Sequence, residues 1–496
     1  MVEIELKFQV PPERQAALQR AVATASAETL RLQALYFDTA DRRLAGAGIA
    51  LRLRREGPVW VQTLKALGAH ALERLEHEVV VGRMRAPPAL DLQRHAGTPA
   101  AARLDAALGS DVELVPVYQT DVRRTRRVLR TDGARIEIAL DVGEIRAGER
   151  QQPLHEIEFE LLAGPLDGLI SVAARWAERH ALWLDVRPKS ERGDLLARGL
   201  AVSPAAGAGV PVLTNKMSGD AALRAIVGAA LAQALPNAAA LAAGCGTPEH
   251  LHQLRIGLRR LRAALRTFGA ENPALDPAWQ PALAALFAQL GGTRDRDVMR
   301  ATLQPLLEAA GAPLVALPEG SAAADDTVCE ALRASATTQL LLALLGFAHG
   351  ASAAAAPSPT PPTPPPVLPQ LIDPLRRLQR RIRRDARDFR SAPDEQRHRL
   401  RKRLKRLRYG LDALAALLPA KPLRRYLSTL KPAQEALGEL NDLVVAEAAF
   451  RALVADDARA WFALGWLAAR RGVLLEQAAQ ALDALPGWPK AFKQRR

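Results

Sequence analysis

The chain has 496 residues, of which 49% are hydrophobic and 24% are charged, and its net charge is +15. This length exceeds what one hydrophobic core serves and the composition is that of a globular chain, which excludes a single small domain and a disordered polymer. Two cysteines are too few for a disulfide framework, the first residues lack an apolar signal core, and apolar runs such as 460–469 are too short for a bilayer. We therefore expect a cytoplasmic protein without membrane insertion.

The basic excess belongs to the later part of the chain. Residues 1–200 hold 29 Lys and Arg against 28 Asp and Glu, so the remaining 296 residues hold 39 against 25. A net charge of +14 in that part predicts a polyanionic partner there.

Up to about residue 195, apolar and polar residues alternate in eight segments with the period of a half-buried strand. The segments are 3–7, 34–39, 49–55, 59–65, 74–81, 121–130, 135–143 and 155–162. Helical patterns occur near 13–25, 99–108 and 166–180. Because this many antiparallel strands favour closure of the sheet, we predict an eight-stranded antiparallel β-barrel with flanking helices over residues 1–200.

From residue 218 onward the pattern is helical, so we predict a linker at 201–217 and an all-α domain at 218–490. The sequence HQLRIGLRRLR from His252 is repeated as HRLRKRLKRLR from His398, and a Leu-Gly pair follows each copy, at Leu290 and Leu437. Two pseudo-symmetric helical repeats, about 218–348 and about 370–490, explain the duplication. The Pro-rich insert between them, 350–369, is predicted to be an extended spacer.

Charged residues stand two or four apart along the strands, where they share one face. The rows are Glu3, Glu5 and Lys7; Arg52 and Arg54; Glu76 and Glu78; Arg124 and Arg126; Glu137 and Asp141; and Glu156, Glu158 and Glu160. A solvated sheet face is one explanation. Rows of nearly pure charge instead favour a barrel lumen, in which carboxylates bind a hard cation such as Mg²⁺ or Mn²⁺ and Arg and Lys bind phosphate oxygens.

These segments resemble a known family. VEIELKF resembles the ExExK motif of CYTH domains, the triphosphate tunnel metalloenzymes, and the resemblance continues through LYFDTADRRLAGAGIALRLRR, TLK, RLEHEV, YQTDVRRTR, EIEFELLAG and RPKSERG. It implies an eight-stranded antiparallel tunnel that is open at both ends. The metal ligands that it implies are Glu3, Glu5, Asp141, Glu156, Glu158 and Glu160. The triphosphate-binding residues that it implies are Lys7, Arg52, Arg54, Lys65, Arg124, Arg126 and Lys189. The candidate catalytic residues are Glu3, Glu5, Lys7, Arg52, Arg54, Lys65, Glu76 and Glu78.

The resemblance implies hydrolysis of a triphosphate, with inorganic tripolyphosphate as the expected substrate and Mg²⁺ or Mn²⁺ as the cofactor. Two alternatives stay open. One is a tunnel enzyme acting on ATP or thiamine triphosphate, for which Trp60 and Tyr118 are the only aromatic hints. The other is a non-enzymatic protein that binds polyphosphate or associates with its granules.

The repeated helices carry a basic stripe beside a leucine stripe. His252, Arg255, Arg259, Arg262 and Arg266 recur at helical spacing, with leucines one residue earlier. This half resembles the CHAD domain (conserved histidine α-helical domain), which implies binding of long-chain polyphosphate. The residues concerned are His252, Arg255, Arg259, Arg260, Arg262, His398, Arg401, Lys405, Arg406 and Arg408. Nucleic acid is the less favoured partner because the basic stretches hold few aromatics for stacking. Asp295, Asp297 and Asp442 are candidate metal ligands or partners of arginines, although helix capping or ordinary pairing is the favoured explanation.

Overall fold

The structure is a computed structural model that describes residues 2–68, 72–109, 112–131, 133–270, 272–291, 303–313, 315, 322–350 and 367–492. It contains two compact units. One consists of residues 1–207, 232–254 and 328–351, and the other of 208–231, 255–327 and 352–496. The unit with the N-terminal strands therefore also includes helical segments from beyond residue 200.

The N-terminal strands form a closed antiparallel barrel. Eight of them follow the order β5-β4-β3-β2-β6-β7-β8-β1, and pairing of β1 with β5 closes the ring. Their bounds are β1 Val2–Gln9, β2 Glu28–Asp38, β3 Ile49–Glu56, β4 Val59–Leu67, β5 Glu73–Arg83, β6 Val115–Thr131, β7 Ala134–Ala147 and β8 Arg150–Ala163. All eight segments predicted from the alternating pattern are strands, and the predicted barrel is confirmed.

Helices cover the outer face of the barrel, so the alternate residues point inward. The helices of this part are α1 Gln15–Val22, α2 Arg43–Gly46, α3 Pro99–Leu108, α4 Leu166–His180 and α5 Lys189–Arg198. Leu104 of α3 packs with Leu51 and Leu64 of the sheet, and Trp176 of α4 meets the ring of Phe159. Burial of these apolar side chains on the outside leaves the charged rows for the lumen.

Three details differ from the sequence expectation. The first helix is shorter than predicted, with a 3-10 turn at Pro12–Arg14 before α1. A ninth strand, β9 Trp183–Leu184, pairs with β1 and is too short for its two residues to show a period. Helix α5 was not predicted, because the charged residues of its sequence hide the apolar spacing that usually marks a helix.

The remainder of the described chain is helical, as predicted. The bounds are α6 Gly219–Ala242, α7 Pro248–Phe268, α8 Trp279–Gln289, α9 at 303–309, α10 Ala322–Arg333, α11 Ser335–His349, α12 Val367–Arg387, α13 Asp394–Ala413, α14 Ala420–Leu453 and α15 Ala460–Asp483. The leucine stripe of α7 is buried throughout, from Leu251 to Leu265. In the unit that holds the barrel, α11 packs on α4, where Gln339 Nε2 donates a hydrogen bond to the carbonyl of Ala174 at 2.8 Å.

The predicted spacer at 350–369 is wrong at its end. Val367 and Leu368 are buried in the first turn of α12 instead of being extended and solvated. Burial of their apolar side chains explains why the helix begins before the end of the predicted spacer. Residues 351–366 lie outside the described residues.

The expectation that no apolar run could span a bilayer also needs correction. Helix α6 is long and apolar enough by length and composition, and a second span is counted if the bent pair 326–333 and 335–349 is taken as one. In α6, however, 67% of the most apolar window is buried inside the structure, which is typical of a core helix as well.

Candidate active site and basic helical surface

A cavity of about 1360 Å³ lies in the barrel and is lined by the inward-facing charged side chains. Of the tunnel residues identified from the sequence, all line it except Asp141 and Glu156. The lining holds eleven Asp and Glu side chains and eleven Lys and Arg side chains. With every group ionised, the cavity would therefore be close to neutral before any ligand binds.

Lys65 joins two carboxylates at one side of the lumen. Its Nζ lies 2.7 Å from Glu3 Oε2 and 3.1 Å from Glu76 Oε1. Burial alone would raise the pKa of Glu3, but the Lys65 ammonium outweighs it and lowers that pKa. Burial raises the pKa of Glu76 to about 7 in spite of Lys65, and the negative charge of Glu3 adds to the rise. One ammonium thus fully stabilises only one of the two carboxylates.

A surplus of negative charge adjoins this group. Glu5 and Glu160 are directly opposite each other in the β1–β8 ladder, which brings their Cβ atoms to about 5 Å. Glu5 pairs with Lys7 at 2.7 Å, whereas no Lys or Arg among the described residues lies within 4.0 Å of Glu160. Burial, followed by the charges of Glu3 and Glu137, raises the pKa of Glu160 to about 7.

Arg52 and Arg54 project from β3 onto the same carboxylate. Glu78 Oε1 lies 3.1 Å from Arg54 Nη2 and 3.8 Å from Arg52 Nη2. Arg52 Nη1 donates to the Tyr36 hydroxyl at 3.1 Å. Burial and the neighbouring charge of Arg52 lower the pKa of Arg54. Arg54 Nε also donates to Glu56 Oε1 at 2.7 Å. The two guanidinium groups together still retain donors for an anionic ligand.

A third group, the buried acid cluster, consists of Asp141, Glu156 and Glu158. Their carboxylate oxygens lie within 4.8 Å of one another. Lys189, at the start of α5, contacts all three: Asp141 Oδ2 at 2.8 Å, Glu158 Oε1 at 2.7 Å, and Glu156. The protein's own ammonium therefore stands where a metal ion bound by these three ligands would stand.

Two further arginines, Arg124 and Arg126, also line the lumen. Arg124 makes a bidentate contact with Asp141 at 2.6 and 2.7 Å and reaches Glu158 at 2.5 Å. Arg126 pairs with Glu28 at 3.0 Å and lies 3.7 Å from Glu137. With 39% of its side chain exposed, Arg126 lies in the wetter part of the cavity.

The donor chemistry of the lumen fits a divalent cation better at Glu3, Glu5 and Glu160 than at the buried acid cluster. Hard cations require carboxylate oxygens that are not already neutralised. Around Glu160 the carboxylates outnumber the ammonium groups, and the charges of Glu3 and Glu137 add to the rise in the pKa of Glu160 that burial causes. In the buried acid cluster, Lys189, Arg124 and Arg192 balance three carboxylates one for one.

Sequence reasoning missed Tyr36 and Arg42 in the lumen and named Tyr118 only as an aromatic hint. Tyr36 and Tyr118 stack on each other with ring centroids 4.6 Å apart, and both line the cavity. Arg42 also lines it, from a left-handed conformation with φ of 62°. Tyr36 was detectable by its place in a strand, on the same face as Ala34 and Asp38. Trp60 does not belong here, because its indole donates to the carbonyl of Met84.

In the second unit, charged residues of α7 and α13 come together. Burial, followed by the charges of Arg401 and Arg259, lowers the pKa of Lys405 to about 7. The stripe residue Arg259 of the first copy therefore adjoins Arg401 and Lys405 of the second.

The stripe residues are not all part of this group. Arg255 is buried and its Nη1 donates to the carbonyls of Leu290 and Gly291 at 2.8 and 2.9 Å, at the end of α8. His398 shares a hydrogen bond of 2.8 Å with Asn441, and burial lowers its pKa.

The other named positions vary in how they are placed. Arg260 donates to the carbonyl of Gly209 at 3.0 Å, and Arg408 lies 3.7 Å from Asp412. Asp442 lies 3.9 Å from Arg401. Asp295 and Asp297 lie outside the described residues.

The fold thus defines a chain of two parts, an antiparallel tunnel with an ion-paired lumen and a helical region with a basic face. Family models match both parts, a CYTH domain at residues 1–185 and a CHAD domain at residues 225–451. The chain therefore has an N-terminal CYTH domain and a C-terminal CHAD domain, as its motifs predicted.

Known proteins are similar to one part or the other. The inorganic triphosphatase of Haemophilus influenzae is 30% identical over 202 residues, which are 39% of this chain and 54% of that protein. The chain thus spans about half the length of this curated relative. A CHAD domain structure from Ricinus communis is 27% identical, with 57% of this chain and 99% of that chain covered, at a TM-score of 0.46. A Hippeastrum protein described as having a dominant triphosphatase activity is 18% identical, with 41% and 98% covered, at 0.29.

Proposed function

We propose that the tunnel hydrolyses inorganic tripolyphosphate with the help of Mg²⁺ or Mn²⁺, and that the basic helical surface binds long-chain polyphosphate. The observation that carries the first part is a nearly neutral lumen of ion-paired side chains, in which an arginine pair and an excess of carboxylates lie on different strands. Arg52 and Arg54 lie on one side, and the carboxylates around Glu160 on another. The 30% identity to an inorganic triphosphatase supports the same activity.

Charge balance explains why substrate and cation would bind together. The lumen has as many cationic as anionic side chains, so a triphosphate alone would bring several unbalanced negative charges into a partly desolvated cavity. A divalent cation held by Glu3, Glu5 and Glu160 would neutralise and bridge phosphate oxygens. Lys7 lies beside Glu5 and would contact the same end of the substrate.

The remaining cationic side chains would position the phosphate chain and stabilise the charge that develops at the leaving oxygen. Arg52 is held by Tyr36 and Arg54 by Glu78, so both guanidinium groups are oriented before substrate arrives. Glu76, whose pKa of about 7 allows proton exchange near neutral pH, is suited to accept a proton from the attacking water.

An organic triphosphate is the weaker candidate. ATP or thiamine triphosphate needs an aromatic or hydrogen-bonding platform for its organic part. The two lumen tyrosines stack on each other, and Tyr36 is buried. One face of each ring is therefore covered by the other ring and is not available to stack on an organic group. This favours the inorganic substrate.

The test is phosphate release from tripolyphosphate by the full chain with Mg²⁺ or Mn²⁺. We expect Glu5→Ala and Arg54→Ala to lower kcat/KM about a hundredfold or more, since each removes a group that binds the cation or the phosphate. Arg20→Ala, at an exposed position of α1, is the matched control and should retain wild-type activity. Wild-type protein that binds tripolyphosphate without releasing phosphate would indicate a non-enzymatic binding role, and ATP or thiamine triphosphate in a substrate panel tests the organic alternative.

The polyphosphate role rests on the clustering of Arg259, Arg401 and Lys405 from two helices. Like charges held this close favour a ligand with closely spaced negative charges. Polyphosphate is such a ligand, and binding it requires no recognition of nucleic-acid bases. Retention on polyphosphate should fall when all three are changed to Gln, and duplex or RNA that outcompetes polyphosphate at physiological salt would favour nucleic acid instead. A cytoplasmic location, with polyphosphate granules as a candidate site, follows from this role.

A further inference from the structure

The cationic surface of the second unit extends beyond the duplicated motifs. Arg266 from the end of α7, Arg403 from α13 and Arg381 from α12 all lie close enough to Arg406 to lower its pKa, after burial. Lys402 of α13 is in turn near Arg262 and Arg266. Helix α12 thereby joins a surface that the sequence pattern assigned to two helices only.

This extension is poor in compensating acids. Asp385 pairs with Arg403, but among the described residues no carboxylate lies within 4.0 Å of the following five: Arg262, Arg266, Arg381, Lys402 and Arg406. The Nε atoms of Arg262 and Arg406 are buried and have no hydrogen-bond partner in the described part of the chain. Cations packed together without carboxylate partners repel one another, so this grouping points to an anionic ligand.

Helix α12 carries two separate rows of arginine on its exposed side. Its apolar residues, Leu371, Leu375, Leu378 and Ile382 among them, are buried. Arg377, Arg381 and Arg384 stand at offsets of 0, 4 and 7 and form one line along the helix. Arg380, Arg383 and Arg387 stand at offsets of 0, 3 and 7 and form a second line on the other flank.

Of the two rows, the first contains Arg381, the neighbour of Arg406, and so continues the surface of α7 and α13 in the described part of the chain. At 1.5 Å per residue, the step from Arg377 to Arg384 adds about 10 Å to the path. The helix from Val367 to Arg387 has no aromatic residue, so nothing on it could stack a base. A flexible chain of closely spaced phosphates suits this row better than nucleic acid does.

We propose that the polyanion path runs from the Arg259–Arg401–Lys405 surface across Lys402 and Arg406 to the Arg377–Arg381–Arg384 row of α12, which selects long polyphosphate over short. This inference rests on the proposed polyphosphate binding. A short chain contacts only the central surface, which is formed by Arg259, Arg401 and Lys405. A long chain also engages the row, and its affinity gains from the additional contacts.

The experiment compares binding of a long-chain and a short-chain linear polyphosphate to the full chain, in a Glu5→Ala background that prevents hydrolysis in the tunnel. The row variant is Arg377→Gln/Arg381→Gln/Arg384→Gln. The matched control is Arg380→Gln/Arg383→Gln/Arg387→Gln, which removes the same charge from the other flank of the same helix. A third variant, Arg259→Gln/Arg401→Gln/Lys405→Gln, removes the central surface. Circular dichroism and thermal unfolding verify that each variant is folded.

We expect the row variant to bind the long chain about tenfold more weakly and the short chain unchanged. The dependence of log K on log salt for the long chain should fall by about 2, since three phosphate contacts are lost at about 0.7 each. The flank control should match the parent protein for both ligands. Equal losses in the row variant and the flank control would overturn the inference, because overall charge would then explain them, and so would an unchanged row variant. Failure of the parent protein to bind either chain, or no loss in the central variant, would instead refute the proposed binding function.

Discussion

Replacement of Lys189 by Met tests whether the buried acid cluster is balanced by the protein alone. In the wild type, Asp141, Glu156 and Glu158 face three cations, Lys189, Arg124 and Arg192. Removal of the ammonium leaves three carboxylates with two cations and an excess of one negative charge. The cluster lies in the barrel wall, where Asp141 and Glu156 are almost completely buried.

The cost follows from the chemistry of a broken buried pair, which is about 3–5 kcal/mol when one partner is removed. Proton uptake limits this cost, and Glu156 is the expected acceptor because burial already raises its pKa. A carboxyl group whose pKa is higher in the folded than in the unfolded protein loses stability as the pH rises above its unfolded value. The variant should therefore be least destabilised near pH 5, and its deficit should grow by up to about 1.4 kcal/mol per pH unit above that.

Urea unfolding at pH 5 and pH 8 in the presence of a chelator measures this difference, with tryptophan fluorescence as the probe. Addition of Mn²⁺ provides a second readout, since three carboxylates within 4.8 Å and without their ammonium form a site for a hard cation. We expect Lys189→Met to gain more stability from Mn²⁺ than the wild type gains. Arg20→Met, at an exposed position, is the control. A variant that is as stable as the control at pH 8, or that gains no more from Mn²⁺ than the wild type, would refute the reasoning.

Two further predictions concern pH. Because burial together with Glu3 and Glu137 raises the pKa of Glu160 to about 7, a cation must displace a proton there, and Mn²⁺ binding should weaken about tenfold from pH 8 to pH 6. Calorimetric titration of Glu160→Gln should show a flatter pH dependence, and an unchanged slope would remove Glu160 from the site. Burial and neighbouring arginines lower the pKa of Lys405 to about 7, so the unfolded state binds more protons and stability should rise between about pH 7 and pH 10. Thermal unfolding of Lys405→Met should lose this rise, and a rise equal to that of the wild type would contradict the assignment.

The barrel was predictable because the alternation of apolar and charged residues within each strand shows which side chains are covered and which face the lumen. Alternation of two residue types in segments such as 155–162 fixes which side chains share a face, and α3 and α4 confirm which face is covered. The partners within the lumen were not predictable. Lys65 and Glu3 are 62 residues apart in the chain, and only closure of the ring brings them to hydrogen-bond distance.

For the basic stripe of α7, too, the sequence predicted which residues share a face but not what they contact. Spacing placed Arg255 in a row with Arg259 and Arg262, and the row exists along α7. Yet Arg255 is buried and donates to the carbonyls at the end of α8. A period of 3.6 residues tells which residues share a face and not what lies opposite them. Whether an arginine of the row is free to bind a ligand or instead caps a helix depends on which helix packs against it.

In the segment EIEFE, helix α5, which lies outside the motif, gives the three glutamates different surroundings. Glu156, Glu158 and Glu160 alternate on β8 and share one face, so by sequence they are equivalent. Helix α5 begins at Lys189, whose ammonium contacts the first two. Glu160 faces Glu5 across the ladder, and no Lys or Arg in the described part of the chain lies within 4.0 Å of it. The same residue type thus stabilises the barrel wall at two positions and supplies an uncompensated charge at the third. The position of the proposed cation site in the lumen therefore depends on where α5 begins, and the carboxylates alone do not determine it.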